Sequence, residues 1–186
     1  MKSMIAIAAL LAFCVSAGAH RLDEYLQATR IGVAMHRIDL SIDLTPGVAV
    51  AQQLLSSIDP DGNPRIPSHQ GERYARRLLQ DLLLELDGKQ LRIKVIRVAF
   101  PARADMKAGE GTIHLQALAR ISRLKPAPHE ILFRNAHLPR ISVYLVNALV
   151  PESRTIQITH QIRDELQKEY HLSFEVRPAA KKAESP

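Results

Sequence analysis

The sequence predicts a mainly β fold, an antiparallel β-sandwich with one inserted helix–loop–helix. Three observations carry that expectation. After His20, apolar and polar residues alternate in about nine short segments, the period of half-buried strands. Turn residues separate these segments, where a parallel α/β sheet would need helices. Only between about residues 46 and 82 does the apolar period become helical.

Taken in order, Tyr25 to Ala34 is the first strand and Met35 to Arg37 the turn after it. Arg37 to Leu44 is the clearest strand, with Ile38, Leu40, Ile42 and Leu44 on one face and Arg37, Asp39, Ser41 and Asp43 on the other. Thr45-Pro46 reads as a helix N-cap followed by proline in the first turn. Val48, Ala51, Leu55 and Ile58 then fall at helical spacing. A turn-rich stretch, Asp59 to Pro67, leads to a second helix from about Ser68 to Leu82. There Tyr74, Leu78 and Leu82 share one face, and Arg73, Arg76, Arg77 and Gln80 lie largely on the other.

Strands then resume. Asp87-Gly88 joins Leu84–Leu86 to Leu91–Phe100 as a hairpin. The apolar phase slips between Val95 and Ile96, which predicts a bulge. Pro101 to Gly111 reads as a loop. Thr112–Ile121, His129–Asn135, Ile141–Val150, Thr155–Ile162 and Tyr170–Val176 complete the strands, which places the domain at residues 20–176. From Arg177 the Pro, Ala, Lys and Glu tail has nothing to bury and reads as disordered.

Residues 1–19 read as a cleavable signal peptide. Lys2 is the charged start, Met4 to Val15 the apolar run, and Ala17-Gly18-Ala19 the cleavage pattern. The working chain would then begin at His20 and act in the periplasm or outside the cell. Removing the peptide takes away one lysine, no acid and the only cysteine, Cys14, so no disulfide is expected. No later segment has the roughly 20 apolar residues of a membrane span. The remaining charge is mildly basic and dispersed, without the basic run and interleaved aromatics of a nucleic-acid surface.

Asp59 to Gln70 has the spacing of a twelve-residue EF-hand calcium loop. Asp59, Asp61 and Asn63 fall at its first, third and fifth positions, and Ile66 at its eighth. Pro64 stands where the glycine belongs, and Gln70 where the bidentate glutamate belongs. The loop therefore reads as degenerate, a structural turn without tight calcium binding. All eight histidines follow the cleavage site. His20 would carry a free amine beside its ring, a pair suited to nickel or copper. His36 is a candidate third ligand, with His160 and His137 as alternatives. His160 is in phase with Ile156, Ile158 and Ile162, which places it on an inward face. No nucleophile elbow, phosphate loop or zinc pattern occurs, so no enzyme is expected.

Three stretches, His20 to Thr29, Asp59 to Gln70 and Ile141 to Pro151, resemble a family of exported bacterial proteins. In that family a β-rich periplasmic module with an EF-hand-like insertion precedes, in some members, a nickel-permease domain of the hydrogenase/urease type. The resemblance implies an accessory role beside a membrane protein of the metal-permease type, and it implies no catalysis. The expected function is a soluble exported binding or interaction module. The alternative is a metal-handling accessory that holds nickel or copper at His20.

Overall fold

The computed structural model describes residues 23–178. The expected signal peptide, His20 and residues 179–186 of the expected tail lie outside them. Ten strands form two five-stranded sheets. The first contains β1 (Tyr25–Ala34), β2 (Arg37–Pro46), β5 (Ile93–Ala99), β6 (Ile113–Arg120) and β8 (Ser142–Ala148). Its order is β5-β6-β2-β1-β8. The second contains β3 (Leu82–Leu86), β4 (Lys89–Gln90), β7 (Pro128–Asn135), β9 (Ile156–Arg163) and β10 (Glu169–Val176), ordered β4-β3-β7-β10-β9. Every pairing is antiparallel except β1 with β8, which is parallel.

The inward residues of both sheets join one apolar core. Ile38, Leu40, Ile42 and Leu44 of β2 meet Phe133, Leu172 and Phe174 of the other sheet within it. Burying such side chains stabilises each by roughly 1.5–3 kcal/mol, which is how the alternation in sequence becomes a two-layer fold. The expected hairpin is cut short: only Lys89–Gln90 returns against β3, while Ile93–Ala99 crosses to the first sheet and pairs with β6. Its turn, Asp87-Gly88, has both residues at positive φ, 51° and 73°. That is the conformation whose twist matches the flanking strands.

Helices α1 (Val48–Ile58) and α2 (Ser68–Gln80) form the insertion, and the short α3 (Arg103–Lys107) lies in the stretch read as a loop. α2 packs against both β5 and β3, and so reaches from one sheet to the other. Among the described residues no helix is long and apolar enough to cross a membrane.

Several boundaries differ from expectation, each for a local reason. Thr45 and Pro46 end β2 rather than capping α1, whose N-cap is Gly47. Proline is tolerated there because the β6 ladder stops at Leu44, so no neighbouring strand needs its missing N–H. In α1, Leu54 is buried and Val48 is 46 % exposed. α2 ends at Gln80, and Leu82 opens β3. Arg177 is held, its N–H bonding the Thr155 carbonyl, so the strand layer extends to the edge of the expected tail. The Ile96 bulge is present: Val95 pairs with Ala117 and Arg97 with Gln116, leaving Ile96 unmatched.

His160 requires a correction. It is exposed rather than inward. Ile158 pairs with Phe174 and His160 with Ser173, so Thr159 is an extra residue in β9. That bulge turns His160 and Ile162 to the outer face, and Ile162 is left 53 % exposed.

Gly71 sits inside α2 against Phe100, and a Cβ added there would lie 2.8 Å from the ring atom Cε2. Alanine gains roughly 1 kcal/mol over glycine in a helix, whereas overpacking costs about 1–3 kcal/mol. Gly71→Ala is therefore expected to lower stability by up to ~2 kcal/mol in urea denaturation. A gain in stability would show that the ring moves aside freely.

Candidate functional site

The loop from Asp59 to Gln70 is organised around a side chain from elsewhere in the chain. Asp59 follows α1 and is fully buried. Its Oδ2 accepts from the Asn63 backbone N–H at 2.8 Å, and its Oδ1 from Asn63 Nδ2 at 3.0 Å. Gly62 makes the turn with φ of 76°, two positions earlier than an EF-hand glycine. Arg103, the first residue of α3, reaches in from forty residues on. Its Nη2 donates to Asp59 Oδ2 at 2.5 Å and to the Asp59 carbonyl at 2.8 Å, and its Nε donates to the Asn63 carbonyl at 2.7 Å. Burial alone would raise the Asp59 carboxyl, but the hydrogen bonds from Arg103 and Asn63 outweigh it and hold it below the usual range.

A guanidinium thus meets the loop oxygens that would face a metal ion. Gln70 turns its Nε2 to Asp61 Oδ2 at 3.1 Å. The amide nitrogen, rather than its oxygen, faces that carboxylate, an arrangement suited to a loop without a cation between them. Gln70 Oε1 is buried without a hydrogen-bond partner among the described residues. The structure therefore brings Asp59 to Asn63 and Asp61 to Gln70, as two pairs. Arg103 had no signal in the sequence.

His20 lies outside the described residues. His36 forms the β1–β2 turn, and its Nε2 stands 3.3 Å from Arg123 Nη1, which can only donate. His160 lies on the outer face of β9. Among the described residues, no group of three or more His, Cys, Asp or Glu side chains is placed to hold a metal.

A second polar cluster centres on His137, between β7 and β8. Its Nδ1 lies 2.7 Å from Asp81 Oδ2 and its Nε2 3.1 Å from the Tyr74 hydroxyl. Tyr74 in turn meets the Tyr25 hydroxyl at 2.5 Å. These partners assign a neutral ring with its proton on Nδ1. The backbone of His137 is held as well. Its N–H donates to Asn135 Oδ1, and its carbonyl accepts from Gln27, Ser142 and Tyr144.

Asp81, His137 and Tyr74 have the order of an acid–base–nucleophile chain, but the hydroxyls are sealed in the core. Tyr25 and Tyr74 are 0 % and 2 % exposed. Burial pushes both hydroxyls above their ordinary pKa, the reverse of what an activated nucleophile needs. For His137, burial is the largest influence and lowers its pKa, against the opposing pull of Asp81.

An open groove lies between α2 and β5. It encloses about 530 Å³, within the range of ligand sites. Ile66, Val95, Val98 and Phe100 form its apolar part, and Arg65, Arg76, Arg97 and Glu72 its charged rim. Three guanidinium groups face one carboxylate. Among the described residues Arg65 and Arg97 make no ion pair, while Arg76 reaches Glu72 at 3.5 Å. The sequence shows Arg76 only as part of a solvated helix face. Its meeting with Arg65 and Arg97 depends on packing. Arg77, on the same helix, points elsewhere and caps the Ser57 carbonyl in the last turn of α1 at 3.0 Å. The chain matches no protein-family model and no curated protein.

Two outcomes are expected from these contacts. With Arg103 among the loop oxygens, calorimetric titration should show no calcium site tighter than about 10 µM, the range of intact sensor loops. Arg103→Met should lower the thermal midpoint well beyond the exposed control Arg37→Met, because it leaves the Asp59 carboxylate buried without its cation.

Protonating His137 would reverse the hydroxyl chain and leave the buried Tyr25 proton without an acceptor. Its folded pKa lies below the unfolded value of about 6.5, so the unfolded chain binds the proton first as pH falls. Stability relative to a His137→Gln variant should therefore decline below about pH 6.5. Urea midpoints between pH 7.5 and 5 test this, and parallel curves for the two proteins would contradict it.

Proposed function

We propose that this chain is a non-catalytic binding module, active outside the cytoplasm, that takes an anionic and partly apolar ligand between α2 and β5. The groove carries the reading. Unneutralised guanidinium groups at the rim of an apolar cleft attract anions and orient them, while the apolar part supplies burial. Sealing the Asp81–His137–Tyr74 chain in the core supports a role in packing rather than chemistry. His36 already faces Arg123, which favours the groove over nickel or copper handling near the terminus. An accessory role beside a membrane protein fits a module of this kind.

The amphipathic anion 8-anilinonaphthalene-1-sulfonate is a suitable probe, with a flat apolar body and one sulfonate. Titrated into ¹⁵N-labelled protein, it should shift amides of residues 65–72 and 95–100 in a saturable way. Arg97→Glu should weaken that binding several-fold. Shifts confined to other surfaces, or none, would remove the groove as the binding surface.

A further inference from the structure

One wall of the groove is the free edge of a sheet. β5 ends its sheet and pairs only with β6. Outside that ladder it makes no backbone hydrogen bond to any described residue. The other three edges differ. β4 is two residues long. The Val146 carbonyl of β8 accepts from Arg163 Nε at 2.8 Å, and β9 is broken by the Thr159 bulge. Such devices keep edges from recruiting other strands. β5 also carries a bulge, at Ile96, and its residues Val95 to Val98 form one wall of the arginine-rimmed groove beside α2.

Resting on the binding-module reading above, we propose that the occupant is a short extended acidic segment of a partner protein, which adds to β5 as a strand. Its backbone would pair with the free groups of β5, and its carboxylates would meet Arg65, Arg76 and Arg97. This is strand addition at a sheet edge, with affinity from main-chain bonds and selectivity from side-chain pockets.

The edge favours a peptide over a lipid, because an acyl chain offers nothing to backbone N–H and C=O groups. The rim disfavours a second copy of this chain, which would bring a basic edge against a basic edge. The Ile96 bulge limits the run of regular pairing and projects Ile96, 60 % exposed, beside it. A bulged edge resists open-ended strand addition, so the captured segment is short and its binding depends strongly on charge and salt.

The test uses ¹⁵N-labelled protein and an alternating valine–glutamate octapeptide blocked at both ends. The controls are its backbone N-methylated form, the valine–lysine analogue, inorganic phosphate and phosphatidylglycerol vesicles. The acidic peptide should shift the amides of residues 95–100 and 65–72. N-methylation should weaken binding at least tenfold, and so should Arg65→Glu with Arg97→Glu. Both arginines are exposed, and the amide spectrum of the double variant reports whether it folds. If it does not, the N-methyl comparison on the natural chain still decides.

Equal binding of the two acidic peptides, or of the lysine analogue, would overturn the proposal. So would a response to phosphate or vesicles alone. Binding of the sulfonate probe in the groove without the acidic peptide would sink this inference and leave the binding module standing. Failure of both probes would remove both.

Discussion

The structure depends most on the buried polar cluster around His137. Its ring meets Asp81 before β3 and Tyr74 of α2, which in turn meets Tyr25 of β1. Its backbone meets Gln27 of β1, Asn135 of β7, and Ser142 and Tyr144 of β8. Both sheets and the helical insertion therefore meet at one residue. Apolar packing alone would tolerate sliding between layers, whereas a buried donor or acceptor left unpaired costs about 1–3 kcal/mol. Gln27 faces inward along an otherwise largely apolar strand face and bonds Asn135, Ser142 and the His137 carbonyl. A slip of one residue between β1 and β8 would break those bonds and turn the apolar face outward. The cluster thus fixes the one parallel pairing in the fold.

The insertion builds outward from that anchor. Tyr74 pins α2 to the His137 cluster, and Tyr74 also packs edge-on against Phe100 just after β5, with ring centroids 6.1 Å apart. Before α2, the loop is held by the Arg103 guanidinium, a cation that arrives covalently with the chain. A buried carboxylate needs a positive partner, and an arginine supplies it at any metal concentration. The loop keeps the oxygen-rich spacing of a calcium site while being organised by an internal ion pair. That pair also ties α3 to the start of the insertion, since the Arg103 N–H bonds the Pro64 carbonyl.

Most strands were legible because one face of each is buried, which forces a period of two. The Ile96 bulge was legible too, since an extra residue shifts the apolar phase and the sequence shows the shift. The Thr159 bulge left no such mark. Ile156, Ile158, His160 and Ile162 alternate without a break, yet the chain turns over between the second and third of them. Near the end of an edge strand an isoleucine can face solvent at modest cost, so alternation there does not define the inner face. Asp59, Asp61, Asn63 and Gln70 were visible as a loop, but the group that organises it was not. Arg103 lies in a segment that looked structureless. The groove was hidden for the same reason, since Arg65, Arg76 and Arg97 come from a loop, a helix and a strand that only the fold assembles.

Gly71 links the packing to the groove. Without a side chain at that position, the Phe100 ring lies directly on α2, which brings the helix close to the edge of β5 while leaving that edge uncovered. A larger residue would wedge the two apart and widen the cleft. A helix lying squarely on the edge would instead cover the strand. The Ile96 bulge acts along the same strand, twisting it locally and turning one apolar side chain out beside the cleft. A glycine on the helix and an extra residue on the strand therefore set the width and the lining of the groove together. Both are local departures from ideal helix and strand, and such departures concentrate where a fold is shaped for contact rather than for stability alone.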